Sequence, residues 1–200
     1  GAVLRSILSV GFPSIIMQSI GSVLTVLMNL ILIVYGNTAV NVLGVYFKLQ
    51  SFVFMPVFGL SNGLVAIIGY NFGARLRQRV YDAVKVALKY AVIIMAAGMV
   101  IFMAFPGMLM GLFETNGPSE LTTLGVPALR IISVHFVLAA IGITLSTVFQ
   151  AVGRGFYSLL MSLCRQLIVL LPAAWILSQL GGLNAIWWSF PIAECVSLVL

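Results

Sequence analysis

The sequence predicts an all-α, polytopic membrane protein of six transmembrane helices, and two observations carry that expectation. Hydrophobic residues make up 62% of the 200 positions and charged residues 7%, with a mean hydropathy of +1.20. So little polar surface cannot coat a water-soluble globule. The apolar residues also fall into long unbroken runs, without the alternation over about ten residues that marks a membrane barrel strand. Helix is then the conformation that satisfies the backbone inside hydrocarbon.

The first run extends from Phe12 to Tyr35 and stops at the turn composition Gly36-Asn37-Thr38. The second covers Val42 to Tyr70 and contains Pro56; the third covers Val84 to Phe105 and closes at Pro106-Gly107. Leu109 to Thr123 is the longest connector, with Glu114, Glu120 and Asn116-Gly117-Pro118, and has room for a short interfacial helix. Leu124 to Ala151 and Tyr157 to Leu180 are the fourth and fifth spans, and the sixth begins near Ala185. Because the chain opens without Met and stops inside that run, residues 1–200 are expected to be a portion of a longer polypeptide with the last helix cut short.

Topology follows from the cations. Arg75, Arg77, Arg79, Lys85 and Lys89 are half of the ten Lys and Arg residues and flank one short loop, which should stay on the cytoplasmic side. Alternating the spans from that loop puts Arg5, Arg154 and Arg165 on the same inner side, and Lys48 and Arg130 near the outer side. Trp187 and Trp188 at the outer start of the sixth span suit an interfacial aromatic belt. The net charge of +6 does not indicate nucleic acid, whose recognition needs cations spread over a solvated face.

Polar residues inside the runs are the strongest functional signal, since each must meet protein, water or ligand. Gln18, Ser22, Thr25 and Asn29 recur at i, i+4, i+7 and i+11 and share one face of the first helix. The second run offers Gln50, Phe54, Phe58 and Ser61, with Asn62 adjacent; the fourth offers His135, Ala139, Gly142, Ser146 and Gln150. Small, polar and aromatic groups together describe a pocket for amphipathic organic molecules, while helix packing alone would use the same residues for modest interhelical bonds. Glu194 is the carboxylate well inside an apolar run, and two roles stand open for it: an ion-coupling proton carrier, or a partner of Arg165 near the inner headgroups. His135, the sole histidine, is either a hydrogen-bonded packing residue or a second ion-coupling candidate, and one histidine builds no metal site.

Gly59-Leu60-Ser61-Asn62-Gly63 fits both a nucleophile pattern and the G-x-x-x-G helix-contact pattern. A hydrolase needs a strand-to-helix elbow at the serine, so close helix contact is the expected reading, with an intramembrane serine hydrolase using Ser61 and His135 as the outside alternative. Cys164 and Cys195 lie in apolar runs without metal-ligand spacing. Pro13, Pro56, Pro127, Pro172 and Pro191 place a proline in most spans and invite bends.

Gly11-Phe12-Pro13 with Gln18, then Gln50, Pro56 and Gly59 leading to Gly69-Tyr70-Asn71-Phe72-Gly73-Ala74, then Phe149-Gln150-Ala151-Val152-Gly153 and Arg165-Gln166, occur in an order that resembles the multidrug and toxic compound extrusion (MATE) transporters. The resemblance implies the C-terminal lobe of a twelve-helix, two-lobe antiporter in the plasma membrane of a bacterium. Such a protein exports cationic or amphipathic compounds against Na+ or H+ by alternating access, without a cofactor or enzymatic step, and its partners are the substrate, lipid and the N-terminal lobe. It makes Gln50 the leading substrate contact, followed by the first-helix stripe. One branch of the family carries acidic cation-site residues in the first and fourth helices of this lobe, where this chain has none; the principal coupling carboxylate is then expected in the other lobe. A flippase for lipid-linked or polysaccharide precursors is the alternative within related architectures.

Overall fold

The computed structural model describes residues 2–114 and 119–199, so the Asn116-Gly117-Pro118 turn lies outside the described residues. Every regular element among them is helical: α1 Ala2–Leu32, α2 Asn37–Gly73, α3 Arg77–Ala104, α4 Pro106–Gly111, α5 Glu120–Ser133, α6 Phe136–Ala151, α7 Gly155–Leu163, α8 Leu171–Ile186 and α9 Ser189–Val199. A 3-10 turn at Ile33–Tyr35 ends α1, and a π-helical segment at Cys164–Leu170 joins α7 to α8.

Four of the expected spans are long and apolar enough to cross a bilayer: Ile15–Tyr35, Asn37–Gly73, Arg77–Ala104 and Gly155–Ile186. A fifth is broken, because α5 and α6 meet at a 50° bend. The bend lies seven residues beyond Pro127, at Val134 and His135, where the N–H groups reach back only three residues to Ile131 and Ile132. That local tightening, and not the proline itself, turns the chain. The expected sixth span is represented by α9, 11 residues long. The short helix of the connector also sits earlier than expected, at α4, with Pro106 supplying its preformed first turn.

The joints explain themselves in backbone terms. At the end of α6 the Gly153 N–H donates to the Gln150 carbonyl and the Arg154 N–H to Phe149, with Gly153 at φ 77°, the paired closure of a Schellman motif. After α2 the same closure recurs, Arg75 donating to Phe72 and Leu76 to Asn71, but here Arg75 occupies the left-handed position at φ 59°. Pro172 lacks an N–H and its ring would press on the carbonyl four residues back, so the helix ahead of it widens into the π segment.

One apolar core unites α2, α3, α5, α6 and α9 with the inward side of α1 and α8, and buries Met28, Leu43, Tyr46, Met95, Ile132, Phe136 and Trp187 completely. Trp187 thus departs from the interfacial belt: the turn before α9 points its indole into the core, leaving Trp188, 47% exposed, in that role. Among the described residues, a Cβ at Gly59 or Gly63 would meet nothing within 4 Å, whereas one at Gly98 would lie 2.3 Å from Val53, so the close α2–α3 contact within this lobe is made at Gly98.

Candidate functional site

The basic loop marks the inner end of the lobe, and three cavities follow one another away from it. The inner cavity, about 190 Å³, lies between α2, α6 and α7 with Ser197 of α9 at its wall. The central cavity, about 510 Å³, lies between α1, α2, the α5–α6 joint, the π segment and α9. An outer one, about 440 Å³, is walled by Thr25, Asn29, Asn41, Lys48 and Phe113.

Sequence-predicted residues divide among them. Gln50, Thr25, Phe54, His135 and Glu194 line the central cavity; Ser61, Asn62 and Gln150 line the inner one. Asn29 belongs to the outer cavity, while Gln18 and Ser22 are exposed on α1. The α1 stripe therefore keeps one face but serves no single chamber, because a helix rising about 1.5 Å per residue carries an eleven-residue spacing through some 16 Å. Thr25 also returns its hydroxyl to the Gly21 carbonyl at 2.9 Å.

Glu194 meets Arg165 in the membrane interior. The guanidinium Nη1 lies 2.9 Å from Oε1 of the carboxylate, with the side chains 25% and 8% exposed. Arg165 is the eleventh residue of the continuous run Gly155–Ile186, roughly 15 Å from its inner end. The inner-rim assignment made from charge counting is thereby corrected: the pair forms, but about a third of the way along the 32-residue run. The π segment that accommodates Pro172 is what carries Arg165, and such bulges often sit at functional positions. On the far side of the pair, Gly142 leaves just enough room: a Cβ there would stand 3.5 Å from Glu194 Oε2 and 4.0 Å from Arg165 Nη1. Oε2 itself is buried without a hydrogen-bond partner, as is the Tyr46 hydroxyl.

Aromatic rings back the central cavity. His135 stands 6.3 Å from Phe54, 5.2 Å from Phe136 and 5.9 Å from Phe190, and Tyr46 contacts Phe190 at 5.7 Å. The His135 Nδ1 is bonded to the Ile132 carbonyl, which only accepts, so Nδ1 carries the proton. That bond belongs to the α5–α6 bend and holds the ring in the cavity wall. At the inner cavity Ser146 and Ser158 share a hydrogen bond, and Gln150 Nε2 donates to Ser158 Oγ at 3.0 Å, linking α6 to α7.

Ser61 and His135 do not meet. His135 packs on Phe54, and Ser61 lies seven residues, or about 10 Å, further along α2, in the other cavity. A serine hydrolase dyad is not built. Tyr46 and Gly142 are the site residues that sequence reasoning underweighted. Tyr46 carries no pattern signal, but Gly142 stands on the face already marked by His135, Ser146 and Gln150.

A lobe of long apolar helices wrapped around an aromatic cavity with one internal ion pair is the architecture of a polytopic membrane transport protein. The sequence model of the MatE family matches residues 13–176, and the chain belongs to that family. It is 30% identical over 199 residues to the multidrug export protein MepA of Staphylococcus haemolyticus, covering 100% of this chain and 43% of that protein. The MepA protein of Staphylococcus saprophyticus is 31% identical over 194 residues, covering 97% of this chain and 42% of its own length. The chain thus spans somewhat less than half the length of the curated relatives it matches.

Solved structures agree. An outward-facing multidrug resistance MATE transporter of the MOP superfamily superposes with a TM-score of 0.92 at 26% identity, over 99% of this chain and 45% of that one. An inward-facing structure of such a transporter gives 0.86 at the same identity, over 99% and 46%.

Proposed function

We propose that this chain works as the C-terminal lobe of a two-lobe antiporter in a bacterial plasma membrane, exporting cationic or amphipathic organic compounds against H+ or Na+ by alternating access. The observation that carries this reading is the central cavity, where Gln50, Thr25 and the Arg165–Glu194 pair face aromatic walls in a space of about 510 Å³. That size matches a drug-sized ligand, apolar walls supply affinity, and a few polar groups supply orientation. The names of the staphylococcal relatives, multidrug export proteins, support the substrate class.

In this mechanism the exposed face of α1, with Gln18 and Ser22, completes the chamber together with a second lobe. Substrate bound against Gln50, Phe54 and Phe58 is released outward when the coupling ion is taken up, because only an ion with different affinity for the two conformations can shift them. Glu194 is the carboxylate of this lobe available for that exchange, with His135 beside it in the wall. No cofactor and no enzymatic step enter.

A flippase for phosphate-bearing precursors is less well served. The cation that lines the central cavity, Arg165, is already paired with Glu194, so a phosphate would find no free positive partner there.

The test is transport by the full-length polypeptide in proteoliposomes, read as extrusion of a fluorescent organic cation under an imposed H+ or Na+ gradient. Extrusion that follows the gradient and falls at least tenfold in Gln50→Ala supports the assignment; dye movement indifferent to both gradients overturns it.

A further inference from the structure

We propose that the inner cavity is a water-filled proton exit, leading from Glu194 to the cytoplasmic end of the lobe, with Arg165 and Gly142 as the wall that the carboxyl proton crosses. The proposal rests on the antiport reading and assigns this cavity a task that substrate binding leaves unused.

The cavity is separate from the chamber around Gln50, yet the two share Phe58, Ile143 and Arg165. Its lining is rich in hydroxyl and amide groups, among them Ser61, Asn62, Thr147, Gln150, Ser162 and Ser197. A space of about 190 Å³ with these hydroxyl and amide groups in its wall has room for several waters and polar partners to hold them, which is what distinguishes a wet cavity from a dry one. Ser61 lies on the half of α2 that ends at Gly73, Gln150 at the end of α6, and Ser162 in the first third of the continuous run Gly155–Ile186.

Glu194 closes the other end. Its Oε1 holds Arg165, while Oε2 is buried, unpartnered and turned toward Gly142. Gly142 lines the inner cavity, so the barrier between that free oxygen and cavity water is one residue without a side chain. Arg165 also borders both spaces. The ionisable groups around the carboxyl are Arg165 from the π segment, Tyr46 from α2 and His135 from the α5–α6 joint, all lining the central cavity with it. The α6 and α8 helices bring none.

The step balances without a further reagent. A carboxyl protonated from the central cavity has given up Arg165; when the guanidinium returns, the O–H bond at Oε2 breaks, the proton passes to a cavity water as hydronium, and the carboxylate left behind pairs with Arg165. Hydroxyl-bound waters then carry the charge toward Gln150 and the inner end.

The experiment uses the full-length polypeptide with Cys164→Ser and Cys195→Ser, into which Ser162→Cys or Ser197→Cys is placed. In inside-out vesicles a membrane-impermeant sulfonatoethyl methanethiosulfonate, added on the cytoplasmic side, should modify both thiols. In proteoliposomes Gly142→Val should slow substrate-coupled proton release at least tenfold while substrate Kd stays within twofold; Gly142→Ala, whose Cβ stands at ordinary contact distance, should slow it less and serves if the valine variant does not fold. Unmodified thiols on folded protein, or proton release within twofold of the parent in both variants, overturns the exit while ion-driven export leaves the antiport reading standing. Modified thiols without any ion-driven export overturn both, since the cavity then has water but no proton to carry.

Discussion

Removing Arg165 should destabilise the lobe far more than removing its partner's charge. Arg165→Ala leaves the Glu194 carboxylate, 8% exposed, with neither oxygen bonded, because Oε2 already lacks a partner. An uncompensated buried charge of this kind costs about 3–5 kcal/mol. Glu194→Gln keeps the volume and an acceptor oxygen for Nη1, and the arginine it leaves is 25% exposed and bordered by two cavities. The loss is then the step from a charge-assisted to a neutral hydrogen bond, about 1–2 kcal/mol. Arg165→Met with Glu194→Leu should recover stability to within about 1 kcal/mol of the parent, since apolar replacement of a buried pair is often neutral or better. The assay is equilibrium unfolding of the purified full-length protein in mixed micelles, with Arg165→Met and Glu194→Leu made singly to close the double-mutant cycle that gives the coupling. A cost below about 1 kcal/mol for Arg165→Ala, or a double variant as unstable as the sum of the single ones, would refute the claim that the two charges depend on each other.

Four further outcomes follow from geometry. Arg75→Gly should stabilise the protein by about 1 kcal/mol in the same unfolding assay, because a non-glycine residue at φ 59° carries a steric penalty that glycine does not. Gly98→Ala should cost about 1–3 kcal/mol, its Cβ colliding with Val53, whereas Gly59→Ala, which meets nothing, should be neutral or stabilising. Tyr46→Phe should leave stability unchanged or raise it by about 1 kcal/mol, since the buried hydroxyl it removes has no partner. The Glu114 carboxylate accepts from the Ser119 hydroxyl at 2.6 Å and from the Thr122 N–H at 2.9 Å, which holds its pKa below the usual range, the serine bond first. A depressed folded value means that its contribution is present above the unfolded value, roughly 4.3, and fades as pH falls through the lower folded one. Unfolding followed from neutral to acid pH should show that slope, and Glu114→Gln should flatten it.

The spans and the family were legible because both rest on long runs and ordered motifs, which tertiary contacts do not rewrite. Arg165 shows where counting fails: a cation near a span end and one well inside it look alike until the helix register is known, and the π segment before Pro172 sets that register. Trp187 and Trp188 are adjacent and indistinguishable by composition, yet one indole is enclosed and the other exposed. Gly59 and Gly63 show the converse. Their spacing permits close contact, but contact requires a partner helix, and α3 approaches α2 through Gly98 and Val53 instead. The stripe of α1 keeps one face, with Gln18 and Ser22 exposed and Thr25 and Asn29 at cavity walls, since periodicity fixes the angle around a helix and not which cavity each depth opens into.

The four acidic residues of the chain are placed unequally. Glu114 bonds to Ser119 and Thr122 at the connector, Glu120 accepts from the Thr38 hydroxyl, and Asp82 accepts from Gln78 near the basic loop, all three at the lobe's ends. Glu194 alone is set between the helices, with one oxygen held by Arg165 and the other left free. A pair kept purely for stability would gain from bonding both oxygens, because every unsatisfied buried acceptor weakens it. An exchange site needs the opposite: a contact strong enough to hold the closed arrangement and incomplete enough that a proton or a substrate cation can replace the guanidinium. Gly142 faces that free oxygen without a side chain, and a Cβ there would stand in ordinary contact 3.5 Å from Oε2. In the proton exit proposed above, the glycine that costs the α6 helix backbone entropy is the residue that leaves the Glu194 Oε2 facing no side chain.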